Sequence, residues 1–223
     1  MKRFAMITLA AFGALLATAP VALAQNCTMT APNCNCSSQL IDVTAYGNVT
    51  VPNTQSCTMT DVTVTGNVTV GIGASLDVEG NSIIVGNLQA NNCNQVELNL
   101  GHHRAPTTVD GNVQIGNCTG NPAFDNNEAH NQIGGDFQCH NNSGACVLEF
   151  ANVGGNVEIN NNNGSQSVIE GNTIGKDLQC QNNSPAPMFS GNTVGGNPDQ
   201  SSEGQCFPQP GVSCILAAPS GSC

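Results

Sequence analysis

From residue 47 onward, short stretches alternate apolar and polar positions behind a recurring Gly-Asn phrase. The copies are Gly47-Asn48-Val49-Thr50-Val51, Gly66-Asn67-Val68-Thr69-Val70, Gly86-Asn87-Leu88-Gln89-Ala90 and Gly111-Asn112-Val113-Gln114-Ile115. They continue as Gly135-Asp136-Phe137-Gln138-Cys139, Gly155-Asn156-Val157-Glu158-Ile159 and Lys176-Asp177-Leu178-Gln179-Cys180, and end in a degraded Gly196-Asn197-Pro198-Asp199-Gln200. Successive copies begin 19, 20, 25, 24, 20, 21 and 20 residues apart. The third and fifth positions are mostly apolar and the fourth polar, a period of two that predicts a strand with two side chains inward and one outward. A second inward position precedes each later phrase at Val64, Ile84, Val109, Ile133, Val153, Ile174 and Val194, and a third lies mid-repeat at Val147-Leu148, Val168-Ile169 and Met188-Phe189. No stretch beyond residue 24 carries a 3.6-residue apolar stripe, and the leucines of leucine-rich repeats are missing. Short strands between Gly and Asn turns at a fixed period predict an all-β parallel β-helix, or β-solenoid, of about eight ~20-residue coils.

Stacking explains the asparagine. Position two of the phrase is Asn48, Asn67, Asn87, Asn112, Asp136, Asn156, Asp177 and Asn197, and Asn recurs near the next bend at Asn92, Asn117, Asn141, Asn161 and Asn182. Asn tolerates the left-handed backbone of turns. At about 4.8 Å per coil, identical amides can bond to one another and to the turn backbone, and eight coils make a rod of about 40 Å. The two long repeats carry insertions around residues 101–106 and 121–131.

The first 24 residues read as a secretory signal: Lys2 and Arg3, an apolar run from Phe4 to Leu16, then the small-x-small site Ala22-Leu23-Ala24. The expected organisation is a signal at 1–24, an N-terminal Cys-rich cap at 25–46, solenoid repeats at 47–203 and a C-terminal Cys-containing cap at 204–223. Beyond the signal only Arg104 and Lys176 face 15 carboxylates. Nucleic-acid binding, which needs Lys and Arg on phosphates, is therefore excluded, and an anionic membrane surface is disfavoured. No membrane insertion is expected, because the apolar run is too short to span.

The phrases "VGGNVEI" and "IGKDLQCQNNSPAP…GNTVGG" resemble those of secreted bacterial parallel β-helix repeat proteins. The run "GNVTV…GNLQA…GNVQI" is also similar to the bactofilin-type polymer-forming solenoids. The resemblance covers roughly residues 47–206 and implies a fold, not an activity. Bactofilins are cytoplasmic and lack this chain's signal and cysteines, so a cytoskeletal role is not implied.

All 12 cysteines follow the signal, an even number that argues for disulfides in an oxidising compartment. Cys93 and Cys118 share one offset in adjacent coils, which places them within bonding reach. Cys139 and Cys180 share an inward offset two coils apart, about 9 to 10 Å, beyond the roughly 7 Å limit for a bridge. Cys139 with Cys146 and Cys180 with Cys206 are the expected partners, the second pair also implied by the resemblance; a free core thiol at either inward Cys is the alternative. Cys27, Cys34, Cys36 and Cys57 are assigned to the N-terminal cap, and Cys214 with Cys223 to the other end. The spacings match no zinc pattern.

Candidate chemistry is sparse. No catalytic residues and no cofactor are assigned. A polysaccharide lyase or hydrolase would need clustered carboxylates and a basic neighbour, but the outward column reads Thr50, Thr69, Gln89, Gln114, Gln138, Glu158, Gln179 and Asp199. Thr63-Val64-Thr65 hints at an ice-binding array that the Gln positions interrupt. His102 and His103, beside Arg104 in an insertion, are the weak metal candidates. The expectation is an exported, non-enzymatic structural or adhesive protein of a bacterial surface or matrix. Its expected partners are extracellular glycan or matrix components, with possible self-association. The alternative is a carbohydrate-active β-helix that binds or cleaves a polysaccharide.

Overall fold

A computed structural model describes residues 33–98, 105–125, 130–197 and 205–206. It is a parallel β-solenoid with three eight-stranded sheets, and every coil gives one strand to each sheet. Sheet A runs through Asn33–Asn35, Asn48–Val51, Val68–Val70, Leu88–Asn91, Val113–Gly116, Phe137–His140, Val157–Asn160 and Leu178–Gln181. Sheet B runs through Gln39–Ile41, Ser56–Thr60, Ser75–Glu79, Gln95–Leu98, Ala123–Asp125, Val147–Glu149, Val168–Glu170 and Met188–Ser190. Sheet C runs through Thr44–Ala45, Thr63–Val64, Ile83–Ile84, Thr108–Val109, Asn131–Ile133, Ala151–Val153, Thr173–Ile174 and Thr193–Val194. The Gly-Asn phrases open the sheet A strands. The extra residues of the two long repeats fall between sheets B and C, after Leu98 and after Asp125.

Alternation decides what fills the rod. Val49, Val68, Leu88, Val113, Phe137, Val157 and Leu178 form one fully buried file on sheet A, paired coil to coil in register. Val64, Ile84, Val109, Ile133, Val153, Ile174 and Val194 form the matching file on sheet C. Burying each such side chain stabilises the fold by about 1.5–3 kcal/mol, while the polar neighbour on either side stays on the surface. Phe124 and Phe137 meet edge to face, ring centroids 5.0 Å apart, inside the rod. The pattern already holds at Asn33–Asn35: Cys34 pairs in register with Val49 and is buried like it, so the coil before the first Gly-Asn phrase is solenoid too.

At the corner before sheet A the side chain of one coil holds the backbone of the next. The N–H of Asn67 donates to Asn48 Oδ1, and the same bond repeats through Asn87, Asn112, Asp136, Asn156, Asp177 and Asn197. The leaning oxygen sits where a Cβ on the residue ahead would stand. At Gly66 an added Cβ would lie 2.6 Å from Asn48 Oδ1, so glycine at this place lets the ladder bond close to its shortest length. Six of the seven bonds measure 2.7–2.8 Å, and the seventh, Asp177 N to Asn156 Oδ1, is 3.2 Å. That step is the one where Lys176 replaces the glycine. At the next corner Asn92, Asn117, Asn141, Asn161 and Asn182 all adopt φ of 54–57°, the left-handed bend expected of them.

Two further ladders run inside the rod. Asn142, Asn162 and Asn183 directly follow three of those bends and point inward. Asn142 Oδ1 accepts from Cys118 N at 2.8 Å, Asn162 Oδ1 from Asn142 N at 3.0 Å and Asn183 Oδ1 from Asn162 N at 3.0 Å. Gln205 ends the series, its Oε1 accepting from Asn183 N at 2.5 Å. Before sheet C, Asn131, Asn172 and Asn192 likewise accept from Thr107, Ala151 and Asn172. All six asparagines are buried, and an unpaired buried amide would cost about 1–3 kcal/mol, so the ladders are conditions of the fold.

The disulfides follow the same files. Cys93–Cys118 bridges adjacent coils at a Cα separation of 4.5 Å, in the file that Asn142, Asn162 and Asn183 continue. Cys139–Cys146 lies within one coil, and Cys180–Cys206 ties down the segment that carries Gln205. Cys36 pairs with Cys57, and Cys34 is itself disulfide-bonded. No cysteine among the described residues is free; Cys27, Cys214 and Cys223 lie outside them.

Non-reducing peptide mapping is expected to recover Cys36–Cys57, Cys93–Cys118, Cys139–Cys146 and Cys180–Cys206 as linked pairs. Asn162→Ala strands the buried Asn142 N–H and the Cys139 carbonyl, removes the side-chain bonds to Asn142 and Asn183 as well, and should lower the unfolding free energy by about 2–5 kcal/mol. Asn112→Ala at the partly exposed corner, where water can replace the amide, should cost about 1 kcal/mol. Urea denaturation with disulfides intact measures both.

Candidate functional site

The outward positions form straight columns, and each sheet presents a different chemistry. On sheet A the column reads Thr50, Thr69, Gln89, Gln114, Gln138, Glu158 and Gln179, in register; Asp199 lies outside the described residues. The amides bond to one another: Gln89 Nε2 donates to Gln114 Oε1 at 3.4 Å, Gln114 Nε2 to Gln138 Oε1 at 3.0 Å, and Gln138 Nε2 to Glu158 Oε2 at 3.3 Å. Beside this column runs a second one, Asn91, Gly116, His140 and Asn160. The His140 imidazole lies over Gly116, where an added Cβ would come 2.5 Å from His140 Cε1. Between the two columns is an open trough of about 350 Å³, lined by Thr69, Gln89, Asn91, Gln114, Gly116, Gln138 and His140.

Sheet B carries the charge. Asp77, Glu79, Glu97, Asp125, Glu149 and Glu170 all lie on its strands, whereas Glu158 is the one carboxylate on a sheet A strand and sheet C strands have none. Asp77 and Glu97 stand opposite each other in adjacent coils and line a small recess of about 90 Å³ with Ser56, Thr58, Ser75 and Gln95. Partial burial pushes the Glu97 carboxyl above the usual carboxylate range, opposed by the hydrogen bond from Gln95 Nε2. The recess brings two carboxylates together.

The strands of sheet C carry no charged residue, although Asp110, next to Val109, lines the trough beside them. Its outward column runs Thr44, Thr63, Ile83, Thr108, Gln132, Asn152, Thr173 and Thr193. The threonines are therefore interrupted by Ile83, Gln132 and Asn152, and no regular hydroxyl array forms. A trough of about 430 Å³ follows this column, floored by Gly134, Gly154 and Gly175. A Cβ at Gly154 or Gly175 would meet the carbonyl oxygen of the glycine below at 2.5 Å.

The metal candidates His102 and His103 lie outside the described residues, as does Arg104. His130 packs near Phe150 with centroids 6.1 Å apart, and His140 Nδ1 contacts Asn141 Nδ2 at 3.2 Å. Among the described residues no three His, Cys, Asp or Glu side chains come together as a metal site. Nor, among those residues, is any helix long and apolar enough to cross a membrane. The disulfides are those of a chain in an oxidising, extracellular-type environment.

No family model matches the chain, and no curated protein or solved structure matches it.

The outward Gln column was legible from the alternation. The trough beside it was not, because it depends on His140 reaching down one coil onto Gly116. The recurring Asn-Asn doublets at 141–142, 161–162 and 182–183 were the available signal for the buried ladder, one residue turning the chain and the next pointing in.

Glu97 offers a pH test. Its folded-state carboxyl binds a proton more readily than the unfolded chain's, so ionising it costs stability, and that cost is present above the raised value. Glu97→Gln should therefore raise the melting temperature at neutral pH. The gain should vanish as pH falls below the ordinary glutamate range, as differential scanning calorimetry across pH would show.

Proposed function

We propose that the chain is an exported, non-enzymatic rod that serves as a structural or adhesive component of a bacterial cell surface or extracellular matrix. The observation that carries this reading is where the polar groups go. Asparagine or aspartate in each coil spends a side-chain oxygen on the coil next to it, from Asn48 to Asp177, and the amides on sheet A bond along their own column. Catalysis calls for groups that converge on one reacting bond. Here the groups repeat along an axis, as a scaffold or a contact surface for another repeating object requires. The leading segment, read as a secretory signal, and the disulfide staples agree with a protein that works after export.

Binding of an extracellular polysaccharide is the second reading, favoured by the sheet A trough. Cleavage would fall to Asp77 and Glu97, the two carboxylates that share a recess. Incubating the purified chain with a panel of polysaccharides and assaying for new reducing ends and unsaturated products separates the cases. The expected result is retention on insoluble wall or matrix material with no products. Products that disappear in Glu97→Gln would defeat the non-enzymatic reading.

A further inference from the structure

We infer that the sheet A trough, between the Gln89–Gln114–Gln138 column and the Asn91–Gly116–His140 column, binds a segment of neutral, hydroxyl-rich polysaccharide laid along the rod axis. This rests on the adhesive reading above, with the polysaccharide binding of the second reading as the means of adhesion, and assigns it a face and a ligand class.

The amides are held in place before any ligand arrives. Each glutamine in the run gives one N–H to the next coil and accepts one bond from the coil before, except at the Gln89 end. An amide carries two donors and two lone pairs, so each coil keeps one N–H and one lone pair for a partner, repeated at the coil spacing. Hydroxyls take and give hydrogen bonds at once, and a glycan chain offers them at regular intervals. Because the glutamines already bond to one another, binding freezes little further side-chain motion.

Shape and charge select the same partner. Gly116, having no side chain, lets the flat His140 ring lie down and wall the trough, and flat rings are surfaces on which the C–H face of a sugar packs. The volume of about 350 Å³ falls in the range of small-ligand sites, roughly 300–1,000 Å³. The lining contains no carboxylate and no Lys or Arg. An acidic polymer would be repelled by a chain with 15 carboxylates, and a cationic one would be drawn to sheet B instead. A neutral polymer meets neither obstacle. The sheet C trough lacks the preset array: no hydrogen bond joins Thr108, Asn152 and Thr173 along their column.

The test uses the full chain in depletion assays on insoluble cellulose, chitin and cross-linked dextran, with polygalacturonate as the anionic probe and bacterial cell-wall and matrix preparations alongside. Gln114→Ala and His140→Ala alter the trough, Thr108→Ala/Thr173→Ala alters sheet C, and melting curves check that each variant is folded. The proposal expects retention on at least one neutral polymer, a tenfold or greater loss of affinity in each sheet A variant, wild-type binding by the sheet C variant, and none to polygalacturonate. Undiminished binding by folded sheet A variants overturns the site while leaving adhesion standing. So does retention only on cell-wall or matrix preparations, or only on polygalacturonate. Retention on nothing at all overturns the adhesive reading with it.

Discussion

Each coil must present its hydrogen-bonding groups at the same height as the coil beneath, and everything else in the molecule follows from that constraint. Along the sheets the backbone meets it unaided. At the corners the chain turns, and an N–H there no longer faces the carbonyl of its neighbour. A buried or half-buried N–H left unpaired is costly, so a side chain has to reach across. Asn is short enough to lean over one coil spacing and carries a carbonyl of peptide geometry, which is why it dominates the corners on either side of sheet A. Its use favours glycine ahead of it, because an added Cβ on Gly66 would come 2.6 Å from Asn48 Oδ1. The longer bond at Lys176 is what the same corner does when that glycine is absent.

The same rule sorts the cysteines. A file of identical positions can be joined by an amide ladder or by a covalent bond, and one interior file uses both: Cys93–Cys118 in its earlier coils, then Asn142, Asn162, Asn183 and Gln205. The disulfide at Cys206 holds Gln205 in place, so the buried Asn183 N–H keeps its acceptor.

Much of this was legible in the sequence, because repetition makes stacking visible. The inward files, the outward Gln column, the Gly-Asn corner and the Cys93–Cys118 bridge could all be read by aligning offsets. The strand at Asn33–Asn35 could not: it precedes the first Gly-Asn phrase, and the place of Val49 is taken there by Cys34, a disulfide-bonded cysteine. Nor could the pairing of Cys36 with Cys57, since four cysteines crowd that end without a phrase to fix their offsets. The buried asparagines were hidden by chemistry, polar residues in a core being the exception that only their partners explain. The segregation of carboxylates onto sheet B became apparent only once each was assigned to a sheet. It is this segregation that leaves sheet A free for uncharged contacts.

The central claim concerns the corner ladder, and amide hydrogen exchange resolved by residue tests it most directly. The backbone N–H groups of Asn67, Asn87, Asn112, Asp136 and Asn156 sit at surface turns, outside any strand, where unprotected amides exchange freely. If side chains of the preceding coil hold them, they will exchange as slowly as the N–H groups of the adjoining sheet A strands. Exchange at the rate of free turns, beside strands that stay protected, would contradict the account.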